Sequence, residues 1–132
     1  MANKHFSDGT EVDVFGWPTI GAVTLTVTGL SIPASIVVRF MVLGHVVFLS
    51  LPAVSGSSGS TAFQFATLPP EIRPTADRVY DLLLVTDKGK AIPGSVVVRT
   101  TGVLDLYAGA PGDPFATAGA KGFNGGEMHY LK

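Results

Sequence analysis

The sequence predicts an all-β domain: a single antiparallel β-sandwich of about eight strands with jelly-roll character. Three observations point there. Short runs of β-branched and aromatic residues recur along the chain, 16 Gly and 9 Pro fall between those runs instead of in one biased tract, and no segment carries a helical period. At ~100 to 200 residues per domain, the 132 residues make one domain. The sandwich is assigned to residues 17–132 and an arm to residues 1–16.

The arm is polar, with Asp8-Gly9 as a turn signal, and Val12 and Val14 alternate with Glu11 and Asp13 as in a short strand. It either docks on a neighbour or orders only against its own domain. Ile20 to Thr28 is the clearest strand, because Val23, Leu25 and Val27 alternate with Thr24, Thr26 and Thr28 in the period of two that buries one face. Ser35 to Leu43 and His45 to Leu51 follow, and the apolar runs on both sides of Gly44 fit a tight hairpin better than one bulged strand. Further strands are predicted at Thr61 to Thr67, Arg78 to Thr86, Gly94 to Thr100, Val103 to Tyr107 and Gly126 to Leu131. Turn chemistry separates them at Gly56 to Ser60, Asp87-Lys88-Gly89, Thr101-Gly102 and Asn124-Gly125-Gly126.

Several of these strands are apolar on both faces, whereas an antiparallel sheet with one wet side alternates. Val37 and Met41 oppose Ile36, Val38, Phe40 and Val42; Val47 and Leu49 oppose Val46 and Phe48; Leu83 and Val85 oppose Leu82 and Leu84. One face can fill the sandwich core, and the other would be a patch larger than monomers usually expose. The pattern therefore predicts a homo-oligomer of closed cyclic form, with Val37, Met41, Val47, Leu49, Leu83 and Val85 at the interface. The alternative is cover by the chain's own loop at Ala108 to Phe123.

Chemistry is sparse. Nine Lys+Arg against ten Asp+Glu give a net charge of −1, which leaves no counterion-release drive toward nucleic acid. The longest apolar runs, such as Val46 to Leu49 and Leu82 to Val85, fall far short of the ~18 residues a spanning helix needs, and the first eight residues lack the apolar core of a secretory signal. No membrane insertion is predicted. With no Cys, disulfides and thiolate metal sites are excluded. His5, His45 and His129 match no metal-ligand spacing; Glu127 and His129 share a strand face, which reads as a surface pair. Gly56 to Ser60 lacks the spacing of a nucleophile elbow, and Gly119-Ala120-Lys121-Gly122 lacks that of a phosphate loop and reads as a tight turn. Asp105 faces solvent or pairs with Arg99, with solvent preferred. The other carboxylates are scattered singly, and the aromatics are not interleaved with basic residues. The sequence predicts no catalytic residue, no cofactor and no metal.

Several segments together carry a likeness. They are Gly16-Trp17-Pro18, Gly44 to Leu49, Leu68-Pro69-Pro70-Glu71-Ile72-Arg73-Pro74, Gly89 to Gly94 leading into Val96 to Val98, Leu104 to Tyr107, and Gly119 to Phe123 closing on His129-Tyr130-Leu131. In this order they resemble the C-terminal β-sandwich domains of tailed-bacteriophage tail fibres and related virion surface proteins, over about Trp17 to Lys132. The resemblance implies a non-enzymatic homotrimer on the phage particle surface that attaches to the host. The chain differs from a whole fibre in having no shaft within it.

The predicted function is thus a phage virion structural protein resembling a tail-fibre tip, its partners further copies of itself, other virion proteins and a host-surface glycan or protein. Turns on a rigid scaffold carry recognition, which makes Ser57, Ser58, Asp87, Lys88, Lys90 and Asp113 the candidate receptor contacts. One alternative is a capsid decoration or head-fibre protein anchored through Phe6, Val12, Val14, Phe15 and Trp17. Another is a carbohydrate-binding module using Trp17, the single Trp, as its platform.

Overall fold

A computed structural model describes residues Pro18–Lys132 and, before them, the backbone of two short strands. These are β1 (Lys4–His5) and β2 (Glu11–Val12), paired antiparallel with Lys4 opposite Val12. The domain proper consists of β3 (Thr19–Val27), β4 (Ala34–Leu43), β5 (Val46–Ser57), β6 (Phe63–Thr67), β7 (Arg78–Asp87), β8 (Lys90–Val98), β9 (Val103–Tyr107) and β10 (Ala120–Leu131). One 3₁₀ turn at Pro70–Ile72 is the sole helical element among the described residues.

In place of two separate sheets, the eight strands form one continuous antiparallel sheet in the order β3-β4-β5-β10-β7-β8-β9-β6. The sheet curls until its edges meet. The end of β3 reaches β6 through the Thr28 amide to the Phe65 carbonyl at 3.1 Å, and the Thr28 hydroxyl donates to the Gln64 carbonyl. The result is nearly a barrel, in which β7 and β10 are laddered only at Thr86–Gly122 and Val85–Phe123.

Turn residues set the register. β4 and β5 close over Gly44-His45, with Leu43 opposite Val46; Gly44 alone takes a positive φ (59°), the pattern of a type II′ turn. The hairpin prediction is correct there. β7 and β8 close over Lys88-Gly89, both at positive φ (50° and 76°), the type I′ pattern that suits the twist of the strands.

Inward-facing residues fill the barrel: Leu25, Val27, Ile36, Val38, Val47, Leu49, Val85, Val96, Val98, Leu104 and Leu106 are buried. Phe65 and Phe123 meet edge-on at 5.8 Å, and Phe63 meets Phe115 at 5.7 Å. Phe115 belongs to the long β9–β10 connection, which is tied down by the Phe115 amide on the Thr61 carbonyl at 3.0 Å. The opposite end is stoppered by the Leu68–Pro74 segment. There Ile72 is buried beneath the Tyr130 hydroxyl, which donates to the Ile72 carbonyl.

The structure corrects three assignments. Val47, Leu49 and Val85, predicted at an oligomer interface, line the core of the single chain: two apolar faces give no alternation to say which points in. Asp105 pairs with Arg99 (Nε to Oδ2, 2.9 Å) instead of facing solvent, because the guanidinium also gathers Asp77 at 3.1 Å and the Tyr107 hydroxyl at 3.1 Å. Lys121 lies within β10, not in a turn; its side chain is fully buried and its ammonium donates to the Ser60 carbonyl.

Candidate functional site

Two surfaces of the barrel stand out, a pole of loops and an outer sheet face. β10 runs roughly 35 Å from one pole to the other at ~3.3 Å per residue. Thr19, at the start of β3, lies opposite Val42, and the Lys132 amide after β10 donates to the His45 carbonyl at 2.8 Å. Both points are at the same pole, and the other pole is built of loops.

That distal pole gathers four connections. The Ser31 amide donates to the Ser57 carbonyl at 2.8 Å, joining the β3–β4 loop to the end of β5. The Ser58 amide donates to the Gly119 carbonyl at 3.1 Å, and the Gly89 amide to the Ala120 carbonyl at 3.0 Å, adding the β7–β8 turn and the start of β10. Sequence-distant Ser57, Ser58, Asp87 and Lys88 thereby come together, with Lys90 opening β8 beside them.

Their roles divide. Ser58 is buried, at 4 % exposure, and its hydroxyl donates to the Gly29 carbonyl. The Asp87 carboxylate accepts the Ala116 amide at 3.2 Å, holding the β9–β10 loop. These two candidates are structural fixings, as buried or bonded polar groups in a loop base usually are. Ser57, Lys88, Lys90 and Asp113 are exposed; the Asp113 carboxylate also accepts the Ala110 amide at 2.9 Å within its own turn. Ile32, 82 % exposed at the tip of the β3–β4 loop, joins this pole. Its only sequence signal was its place before Pro33 in a Gly/Ser-rich turn.

The second surface is the outer face of β3, β4, β5 and β10. Cross-strand register sets its side chains in rows: Ile20, Met41, Phe48 and His129 in one, and Ala22, Arg39, Ser50 and Glu127 in the next. A groove of about 670 Å³ runs across them. The Phe48 and His129 rings lie 5.9 Å apart and tilted. On one side, Leu43, Val46 and Leu131 form a further apolar row. Of the six predicted interface residues, Val37 and Met41 are on this outer face and Leu83 is half-buried on the inner side of β7. Phe48 and Leu84, assigned to the opposite face, are the exposed ones.

Phe6, Val14, Phe15 and Trp17 lie outside the described residues, as does the side chain of Val12. Among the described residues, no three of His, Asp and Glu come together as a metal-holding set. The perturbed acid is Asp77, held below the usual carboxylate range first by the Thr100 amide and then by Arg99. It lies in the Arg99 cluster, away from both surfaces, and fixes the turn after β8 through its bond to the Thr100 amide at 2.9 Å.

No protein-family model matches the chain, and no curated protein sequence matches it. Solved structures do. The receptor-binding protein gp15 of Listeria phage PSA aligns with a TM-score of 0.52 at 18 % identity, covering 86 % of this chain and 67 % of that one. The reovirus attachment protein sigma1, solved in complex with α-2,3-sialyllactose, aligns with a TM-score of 0.48 at 13 % identity, covering 95 % of this chain and 72 % of that one. At such identities a likeness establishes fold alone, and the first alignment carries it: the barrel is one that a phage receptor-binding protein also uses.

Proposed function

We propose that the chain is a non-enzymatic attachment domain on the surface of a phage particle, resembling a tail-fibre tip and assembling as a homotrimer. The observation that carries this reading is the fold shared with the Listeria phage receptor-binding protein over 86 % of the chain. The polarity of the barrel supports it. The exposed Ile32, Ser57, Lys88 and Lys90 gather at the loop-built pole, placed to meet a host-surface glycan or protein. A rigid barrel presenting a cluster of loops is the arrangement in which turns serve recognition.

The test is direct. The purified chain, fluorescently labelled, is added to cells of strains that the parent phage infects and of strains that it does not. Retention on infected strains alone, with competition against phage adsorption, supports the proposal; equal retention on both, or none, overturns it. Gold-labelled antibody on intact particles adds position: label at the tail tip supports a fibre-tip role, and label spread over the capsid overturns it in favour of decoration.

A further inference from the structure

The outer face of β3, β4, β5 and β10 is self-complementary in charge, and from this we infer that its occupant is a second copy of the same chain, with Arg39 of one copy paired to Glu127 of the next. The inference rests on the homo-oligomer of the proposed function and names its contact surface.

Arg39 on β4 and Glu127 on β10 share one row, with Ser50 of β5 between them. Two strand spacings, about 10 Å, separate their backbones, with the cation toward the β3 side of the face and the anion toward the β7 side. Rotation about any axis parallel to the strands leaves each row at its own height and brings the left half of one face against the right half of the next. With the axis facing β5, Arg39 meets Glu127, Met41 meets His129 and Phe48 faces its own counterpart. Leu43 and Leu131, both exposed, meet in the flanking row. Apolar rows therefore cover apolar rows, and the charged row is neutralised. Such an axis also keeps all loop poles at one end of the assembly, as attachment requires.

Charge complementarity of this kind fixes register and suppresses wrong pairings more than it adds affinity, and a heterologous contact whose rotation closes makes a ring. A free polar ligand would need a walled site. This surface is an open sheet whose apolar rows extend beyond the groove.

The experiment uses the full chain and measures molar mass by size-exclusion chromatography with light scattering across a dilution series, for Arg39→Glu, Glu127→Arg and the double variant. All these positions are on the sheet exterior, and far-UV circular dichroism checks that each variant folds. Each single reversal sets like charges opposite one another and is expected to raise the apparent dissociation constant at least ten-fold. The double variant is expected to return to within about three-fold of the parent. Phe48→Asp in the apolar row is expected to dissociate the assembly. A lone subunit in the parent chain, a mass unmoved by every variant, or a double variant no better than the singles would overturn the inference. The cell-retention assay keeps this separate from the attachment reading: a lone subunit that still binds host cells sinks only the interface, and an intact oligomer that binds none sinks only the attachment.

Discussion

Leu82 sits at φ 61° in the bulge where the β7–β8 register shifts between Asp81 and Leu83, and it is 83 % exposed. A leucine in the left-handed region costs about 1–2 kcal/mol, and so little of this side chain is buried that packing within the subunit returns little. Replacing it with Ala keeps the backbone penalty, and replacing it with Gly removes the penalty. In an ordinary strand Gly is worse than Ala by about 0.5–1 kcal/mol. Here the order should reverse, Leu82→Gly exceeding Leu82→Ala by about 0.5–1 kcal/mol once the two effects are combined. Both variants delete the isopropyl group beyond Cβ, so any contact it makes to another copy cancels in the comparison. Urea and thermal unfolding followed by circular dichroism, at equal protein concentration, read the difference. A melting temperature higher for Gly by roughly 2–4 °C is expected. A higher melting temperature for Ala would refute the strained bulge and with it the register of β7.

Two further outcomes follow from the core. Phe123→Ala removes a buried ring that meets Phe65 edge-on and should cost about 3–5 kcal/mol, read as a lowered urea midpoint; a loss under about 1 kcal/mol would mean that the barrel is not packed there. Burial holds the Tyr130 phenol well above its ordinary value, so the stability that this group contributes is constant below about pH 10 and falls above it, as the unfolded chain releases a proton that the folded chain retains. Tyr130→Phe should lower stability at about pH 7 by about 1–3 kcal/mol through the lost bond to the Ile72 carbonyl and flatten the alkaline decline. Tyr80, also raised by burial, leaves a residual slope. An unchanged alkaline profile would show that Tyr130 does not carry the titration.

The strands were legible wherever alternation was clean or the flanking turns were chemically explicit. Val103–Tyr107 and the start of β7 at Arg78 coincide with the predicted bounds, and β3 is displaced by one residue. Misreadings cluster where Gly and Pro do something other than turn the chain. β5 continues through Pro52 to Ser57 because Pro52 falls between the paired residues Leu51 and Ala53, where the ladder to β10 skips a position and no amide is required. β10 begins at Ala120 because a Cβ at Gly122 would run into the Val54 carbonyl; the glycine permits close approach of two strands. Which apolar face points inward cannot be read from period two when both faces are apolar, and this reversed Val47, Leu49 and Val85. The distal pole was half legible. Turn chemistry found Ser57, Lys88 and Lys90, but Ser58 and Asp87 are consumed by bonds across 29 residues of sequence each. The Arg39–Ser50–Glu127 row needed the β4–β5–β10 register, which no local pattern encodes.

In the proposed trimer, copies of this barrel cover one another's outer face. Sedimentation equilibrium of the full chain at micromolar concentration and physiological salt tests that most directly. A mass three times the 13.7 kDa of the chain, persisting on dilution, is the predicted result, and a single species at the mass of one chain would contradict it.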